Sequence, residues 1–353
     1  MARVLLCDYP NPDGRARLKA LEALGHEAVF FNSQAPTLPA QSVRPIKAAA
    51  RALRPFSRRL SEFAHSLVTS ARLLAECEKV RPDILLVIKG VNLRASALRR
   101  IKRRVKPLLV NWFGDSLLTP GIAAFVERNS GVYDFFFIID DLRALERVTV
   151  RARQVATLPF ACDPEFHRPP ALTADERALY GSPVAFVGTV IPSRERVLQG
   201  VREFGLKIWG PPQNPWGTWD PTTSPLGASW QGRSAYGEEA VKIYAASPIT
   251  LDIHFLFGEP SPIWNVTARV FEVPASGGFL LTNACDQLGR LYSVDTEIVC
   301  YRSPEELTRL TGYYLAHPEE RRAIAARAHM RARAEHTFTR RLEEMFELVT
   351  RKA

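Results

Sequence analysis

Residues 250–283 read TLDIHFLFGEPSPIWNVTARVFEVPASGGFLLTN. The segment ITLDIHF, from Ile249, is short, mostly apolar and bounded by a Gly/Pro-rich loop, which predicts a buried strand. A helix is expected to start near Thr267 and to end at Gly277 and Gly278, with FLLTN as the next strand. Strand, helix, strand is the unit of a parallel sheet, because parallel neighbours need a long crossover. In such a unit the helix starts at the carboxyl end of the strand. Its unpaired N–H groups and dipole favour an anion there. Arg269 in the first turn adds a cation, and Glu272 places a carboxylate that can accept both hydroxyls of a ribose. Helix start, arginine and carboxylate together suit a nucleoside diphosphate.

The same alternation extends in both directions. Downstream come a strand EIVCY and a helix SPEELTRLTGYYLAH, with Ser303 as cap and Glu306 at capping-box spacing. A final charged helix runs from Pro318 to about Arg351, with a break near His336–Thr337. Upstream come strand SPVAFVG, helix RERVLQGVREFG closed by Gly205, strand LKIWG and helix EEAVKIYAAS. A loop from Pro211 to Gly232 separates the last two; its Trp216 and Trp219 read as the loop's own small core, with Trp230 close by.

The first half opens with strand 2–7, a helix from Arg15 to Leu24 and strand HEAVFFN. A long helix from Ser57 to Val80 carries Leu60, Phe63, Leu67, Leu74 and Cys77 on one face. DILLVIKG, PLLVNWFGD, YDFFFIIDD and ATLPFACD complete a sheet of about six strands. The prolines of LPFACDPEFHRPP then mark a boundary. The fold class is therefore α/β, with β/α domains at 1–165 and 166–335 and a terminal helix at 336–353.

Composition narrows the function. The chain has 353 residues, 46% hydrophobic and 24% charged, too apolar for disorder and about right for two domains. No apolar run reaches the ~18 residues of a membrane span. Five cysteines without a CxxC pair read as reduced thiols of a cytoplasmic protein, not as a zinc site. HExxH, a Walker loop and a Ser-His-Asp order are all missing, and Gly188 stands without the further glycines of a dinucleotide fingerprint. Asp140–Asp141 reads as a helix cap before a metal pair. The expectation is chemistry without metal or cofactor.

Charge is uneven: residues 1–165 hold 26 Lys/Arg against 16 Asp/Glu, whereas residues 166–353 are balanced. The excess gathers in Arg44–Arg59 and Arg94–Lys106, which predicts an anionic partner. Neither run interleaves aromatics for base stacking, and no nucleic-acid motif is present, so nucleic acid is the lesser reading.

RVFEVPASGGFLLTN, followed by EIVCYRSPEELTRLTGYYLAHPEERRAIAARAHMRARAEHTFTRRLEE, resembles the C-terminal signature of the CgeB-type, spore-maturation-like glycosyltransferases. LPFACDPEFHRP, FVGTVIPSRERVL and YGEEAVKIYAASPITLDIH agree in order. The resemblance implies the GT-B fold: two Rossmann-like domains, the first for the acceptor and the second for a nucleotide-sugar, with the last helix returning to the first domain. It implies a sugar transferred from a nucleoside diphosphate sugar to an acceptor hydroxyl. Donor contacts would come from Gly188, Thr189, Arg194, Arg196, Trp209, Tyr236, Thr267, Ala268, Arg269 and Glu272, with Glu272 on the ribose. The partner glutamate seen in many retaining GT-B enzymes would fall at 264, where this chain has Trp264. A scaffold that binds sugars without turnover is the alternative.

His254, at the end of the LDIH strand, is a catalytic candidate on the same rim. Asp115 is the candidate base for the acceptor hydroxyl, with Asp13 and Gly14 on the acceptor side, because ligands bind beyond the carboxyl ends of parallel strands.

The stripe Ile46, Ala49, Leu53, Phe56 and Leu60 is flanked by six Arg/Lys and no acid, although Pro55 interrupts it. An apolar face with basic flanks suits a helix in a headgroup layer, so residues 44–60 are expected to dock on an inner membrane surface presenting an anionic or lipid-linked acceptor. At about 1 kcal/mol per basic residue, this docking is reversible. Co-sedimentation with anionic vesicles should fall as salt rises and should vanish with neutral vesicles. Changing Arg51, Arg54, Arg58 and Arg59 together to Gln should abolish it; unchanged pelleting would rule the segment out as the contact.

Overall fold

The computed structural model describes residues 1–34, 54–119, 121–214, 217–254 and 265–352. The chain divides into two units, Met1–Leu158 with Leu342–Ala353, and Pro159–Arg341.

Unit 1 is built on six strands: β1 (Arg3–Asp8), β2 (Glu27–Asn32), β3 (Ile84–Ile88), β4 (Leu108–Phe113), β5 (Phe135–Ile138) and β6 (Gln154–Thr157). They pair in parallel in the order β2-β1-β3-β4-β5-β6. Connections run outward in opposite directions from β1 and β3. Four helices link them: α1 (Pro12–Ala23), α2 (Arg54–Val80), α3 (Ala95–Arg104) and α4 (Ile122–Asn129). α1 starts three residues before its expected position because Asn11 caps it, accepting from Gly14 N at 2.8 Å, and Pro12 supplies the first-turn φ.

The expected apolar face of α2 is only half buried. Cys77 is enclosed and Leu74 partly buried, but Phe63 and Leu67 are 51% and 45% exposed, and Leu73, outside the expected face, is buried in their place. The reason is length. A helix of 27 residues runs about 40 Å, twice the reach of a six-residue strand, so its first turns pass the sheet. Part of the second basic run is tied down. Lys102 pairs with Asp134 at 2.6 Å, Arg104 with Glu78 at 2.7 Å, and the Arg94 guanidinium lies 4.7 Å from the Phe63 ring centroid. Of the segment 44–60, residues 44–53 and the side chains of 54–60 lie outside the described residues.

Unit 2 holds α5 (Ala174–Tyr180), β7 (Val184–Val187), α6 (Pro192–Gln199), β8 (Leu206–Trp209), the short antiparallel pair β9 (Gln213–Asn214) and β10 (Gly217–Thr218), then α7 (Glu238–Ala246) and β11 (Ile249–Asp252). α8 (Arg269–Ala275), β12 (Leu280–Asn283), α9 (Leu288–Leu291), β13 (Val299–Tyr301), α10 (Pro304–Ala316) and α11 (Pro318–Glu335) follow. Its parallel sheet has the order β13-β12-β11-β7-β8, so the change of direction falls between β7 and β11. Fully buried Phe186, Leu251 and Leu281 fill one face, and Phe271, Val270 and Ile243 the other. At about 25 cal/mol per Å² of apolar area, such side chains each contribute roughly 1.5–3 kcal/mol.

Capping residues set the helix starts. Thr173 and Glu176 form a reciprocal box at α5, and Ser303 accepts from Glu306 N at 3.2 Å at α10. After α11 the chain pauses for two residues. Cys162 N donates to His336 O at 2.9 Å and Phe338 N to Cys162 O at 3.1 Å, a bridge that draws 159–165 into unit 2. The last helix, α12 (Phe338–Lys352), contributes its residues from Leu342 to unit 1, where the Phe346 ring stacks on His26 with centroids 4.3 Å apart.

Gly14 is fixed by contact. A Cβ on Gly14 would stand 2.1 Å from the Tyr9 carbonyl oxygen, whereas one on Gly289 would meet nothing within 4 Å. Gly14→Ala should therefore destabilise the protein by about 1–3 kcal/mol. Gly289→Ala should be neutral or stabilising by up to about 1 kcal/mol. Shifts of the urea midpoint at constant slope check both.

Candidate functional site

Within unit 2, β7 and β8 end side by side, with Val187 paired to Trp209. The chain beyond them stays in contact: Gly188 N donates to Trp209 O at 2.9 Å, and a Cβ on Gly210 would lie 2.0 Å from Gly188 O. Only glycine fits at 210, and the close approach makes a backbone floor. Above it opens a cavity of about 330 Å³ between this floor, α7 and α8. Gly188, Thr189, Arg194, Trp209, Tyr236, Arg269 and Glu272 all line it. Seven of the ten residues expected at the donor thus share one cavity, contributed by five separate segments.

Arg269 opens α8. Its Nε donates to Asp252 Oδ1 at 2.8 Å and its Nη1 to Val187 O at 3.0 Å. Arg194 is buried, with Nε and Nη2 donating to Ile253 O at 3.0 and 2.7 Å and Nη1 to Thr189 O at 2.9 Å. Burial, then the neighbouring Arg269 charge, lower the Arg194 pKa to about 9, which still leaves it charged at neutral pH. Two guanidinium groups therefore stand on the wall of one cavity. Glu272 faces the same space, half-buried, with Tyr244 Oη 3.5 Å from its Oε2. Trp209 is buried in the wall, while Tyr236 stands 74% exposed at the edge.

Three expected donor residues do not line the cavity. Arg196 is exposed on the outer side of α6. Thr267 turns its hydroxyl to Asp252 Oδ2 at 2.7 Å and accepts from Arg269 N at 3.2 Å, so it shapes the helix entry. Ala268 is the residue before α8 and makes no side-chain cap.

His254 is not a rim residue. Its side chain is fully enclosed, with Nε2 3.1 Å from Asp252 Oδ2 and 3.2 Å from Thr282 Oγ1. Burial works against its charge, but the Asp252 carboxylate prevails and raises the pKa to about 9. With no exposed side-chain surface and its Nε2 turned to Asp252 and Thr282, His254 does not line the donor cavity. The residue that the sequence reading passed over is its neighbour. Asp252 touches Arg269, Thr267 and His254 together; burial alone would raise its pKa, yet Arg269 and His254 hold it well below the carboxylate range. The available signal was a lone acid two places before a histidine in a buried strand, since such residues share one face.

The tryptophans of the long loop divide. Trp219 is buried, donating from Nε1 to Glu195 Oε1 at 3.3 Å and meeting Trp230 edge-to-face; it packs into the main unit 2 core with Leu198, Ile208 and Leu226, not into a separate core of the loop. Trp216 and Trp264 lie outside the described residues.

In unit 1, Asp115 follows β4 and pairs with Lys89 after β3 at 2.8 Å, both about one-third exposed. Lys89 holds a left-handed φ of 58°. Asp13 and Gly14 sit in the first turn of α1, beyond β1, where Gly14 serves the close packing described above. Asp140 accepts from Ser116 Oγ and Leu117 N, both at 2.7 Å, and burial lifts its pKa to about 6; Asp141 accepts from Arg143 N at 3.1 Å as a cap. Among the described residues, no group of three or more His, Cys, Asp or Glu could hold a metal ion. Nor is any described helix long and apolar enough to cross a membrane.

Residues 194–347 match the family model described as "Glycosyl transferase-like". No curated protein matches the chain. Among solved structures, a sucrose-phosphate synthase from Thermosynechococcus elongatus has a TM-score of 0.66 at 12% identity, covering 100% of both chains. HepE from Anabaena, in complex with UDP-glucose, has a TM-score of 0.62 at 9% identity over 99% of this chain and 100% of that one. A glycosyltransferase from Rickettsia africae reaches 0.62 at 11% identity over 99% and 98%. At these identities the likeness is one of fold. The chain has the GT-B fold, two Rossmann-like parallel-sheet domains, and its residues 194–347 carry a glycosyl transferase-like domain.

Proposed function

We propose that the protein transfers a sugar from a nucleoside diphosphate sugar to an acceptor hydroxyl, without a metal, as a CgeB-type glycosyltransferase. The observation that carries this is the shared wall of the unit 2 cavity. Arg194 and Arg269 supply positive charge, Glu272 supplies a carboxylate, and Trp209 and Tyr236 supply aromatic surface within about 330 Å³. That volume is within the usual range for a small-ligand site.

Each part has a role in the transfer. Glu272 accepts the two ribose hydroxyls. Tyr236 lies against the base, where a ring gives contact area at low entropic cost. As the glycosidic bond breaks, negative charge grows on the leaving diphosphate. Arg269, backed by Arg194, meets that charge in a partly enclosed cavity, where it counts for more than in bulk solvent. Two fixed guanidinium groups do the work a metal would otherwise perform. On the acceptor side, Asp115 takes the proton of the attacking hydroxyl. Lys89, 2.8 Å away, holds that carboxylate in place. The basic runs of unit 1 favour an acceptor that is itself anionic or lipid-linked.

UDP-glucose, present in the HepE complex, is the first donor to test. A nucleotide held at 100 times its dissociation constant should add about 2.7 kcal/mol of stability, a clear rise in the unfolding midpoint. Glu272→Ala should weaken UDP about tenfold or more, through loss of charge-assisted hydrogen bonds. It should leave inorganic pyrophosphate binding nearly unchanged. If no nucleoside diphosphate of any base binds the wild-type protein in calorimetry, this function is wrong.

A further inference from the structure

Asp252 ends β11, in the middle of the unit 2 sheet, and has no solvent exposure. A carboxylate in that position costs several kcal/mol unless it is well paired, and here both oxygens are committed. Oδ1 takes Arg269 Nε at 2.8 Å; Oδ2 takes Thr267 Oγ1 at 2.7 Å and lies 3.1 Å from His254 Nε2. The partners are not random. Arg269 lines the cavity, Thr267 governs the entry to α8, and α8 carries Glu272.

The orientation of Arg269 follows from these contacts. Its Nε is fixed by Asp252 and its Nη1 by Val187 O, whereas Nη2 makes no hydrogen bond among the described residues. Two anchored nitrogens determine the plane of a guanidinium, so the third is presented in a set direction. The Phe186 ring lies nearby, its centroid 6.0 Å from the Arg269 guanidinium carbon.

We infer that Asp252 is the positioning residue of the donor cavity: its buried carboxylate fixes the Arg269 guanidinium so that Nη2 faces the donor diphosphate. His254 acts through Asp252, as a second cationic partner that keeps the carboxylate in place. The inference rests on the cavity being the donor site, and it assigns no bond-making step to Asp252. The raised His254 pKa is consistent with it, since the imidazole stays charged through the neutral range.

The test compares ligands with and without the diphosphate. Asp252→Asn keeps the shape and removes the charge. UDP binding by titration calorimetry should weaken about tenfold or more, as expected for a lost charged hydrogen bond. Uridine binding, followed by NMR, should change less than about twofold, because its contacts are on the Glu272 side. Asp252 acting through Arg269 also predicts non-additivity: the double variant Asp252→Asn, Arg269→Gln should bind UDP no worse than Arg269→Gln alone. Equal losses for UDP and uridine, or losses that multiply in the double variant, would show a general structural role and overturn the inference. Failure of the donor reading is distinguishable, because the wild type would then bind no nucleotide. A ligand-free measurement decides in that event, or if Asp252→Asn does not fold. The Arg269 Nε–H of the wild type should exchange with solvent at least about tenfold more slowly than those of exposed arginines, as a buried hydrogen bond requires. Exchange at the exposed rate would sink the proposal.

Discussion

Two neighbouring parallel strands whose connections leave in opposite directions cannot be covered at their carboxyl ends by either connection. In unit 2 those strands are β7 and β11. The uncovered end must be filled by side chains, and this chain fills it with charge. Asp252 comes from β11, Arg194 from α6 and Arg269 from α8. Such groups survive burial only with partners, and each has one: a carboxylate oxygen, a strand-end carbonyl or both. The cavity wall, the start of α8 and the loop after β7 are all tied to this cluster. Removing one member leaves the others buried without a partner.

The fold was legible because buried parallel strands leave a blunt trace. ILLVI in β3, FFFI in β5 and VAFV in β7 are apolar on both faces, and each is followed within two residues by a glycine or an acid. The short helices α4 and α5 left less. α4 has eight residues and no side-chain cap. α5 did announce itself, through Thr173 and Glu176 at capping-box spacing, just after the proline-rich boundary, in a stretch to which no element was assigned. The first turns of α2 misled for a different reason: periodicity records which residues share a face, not whether anything covers that face.

The cavity was legible where backbone position alone decides. A strand end places Gly188, and a helix start places Arg269 and Glu272, before any side chain is known. His254 shows the limit. It stands two residues beyond β11, near where it was expected, but its direction was not read, since such a side chain can turn toward the rim or into the layer of helices. The deciding fact is a neighbour two residues away and another on β12, Thr282, whose register no local pattern encodes.

The bridge between Cys162 and Thr337 has a consequence for synthesis. It closes a loop whose ends are side by side, so unit 2 is one unbroken stretch of chain, Pro159–Arg341, set within unit 1. On the ribosome the two units are therefore not equivalent. Unit 2 has all its residues once Arg341 has emerged, whereas unit 1, begun first, still awaits Leu342–Ala353. His26 lies in the part of unit 1 made before unit 2, and its ring partner Phe346 in the part made after it. Of the two units, the one that starts first is completed last, and the His26–Phe346 stacking closes only after all of unit 2 has been made.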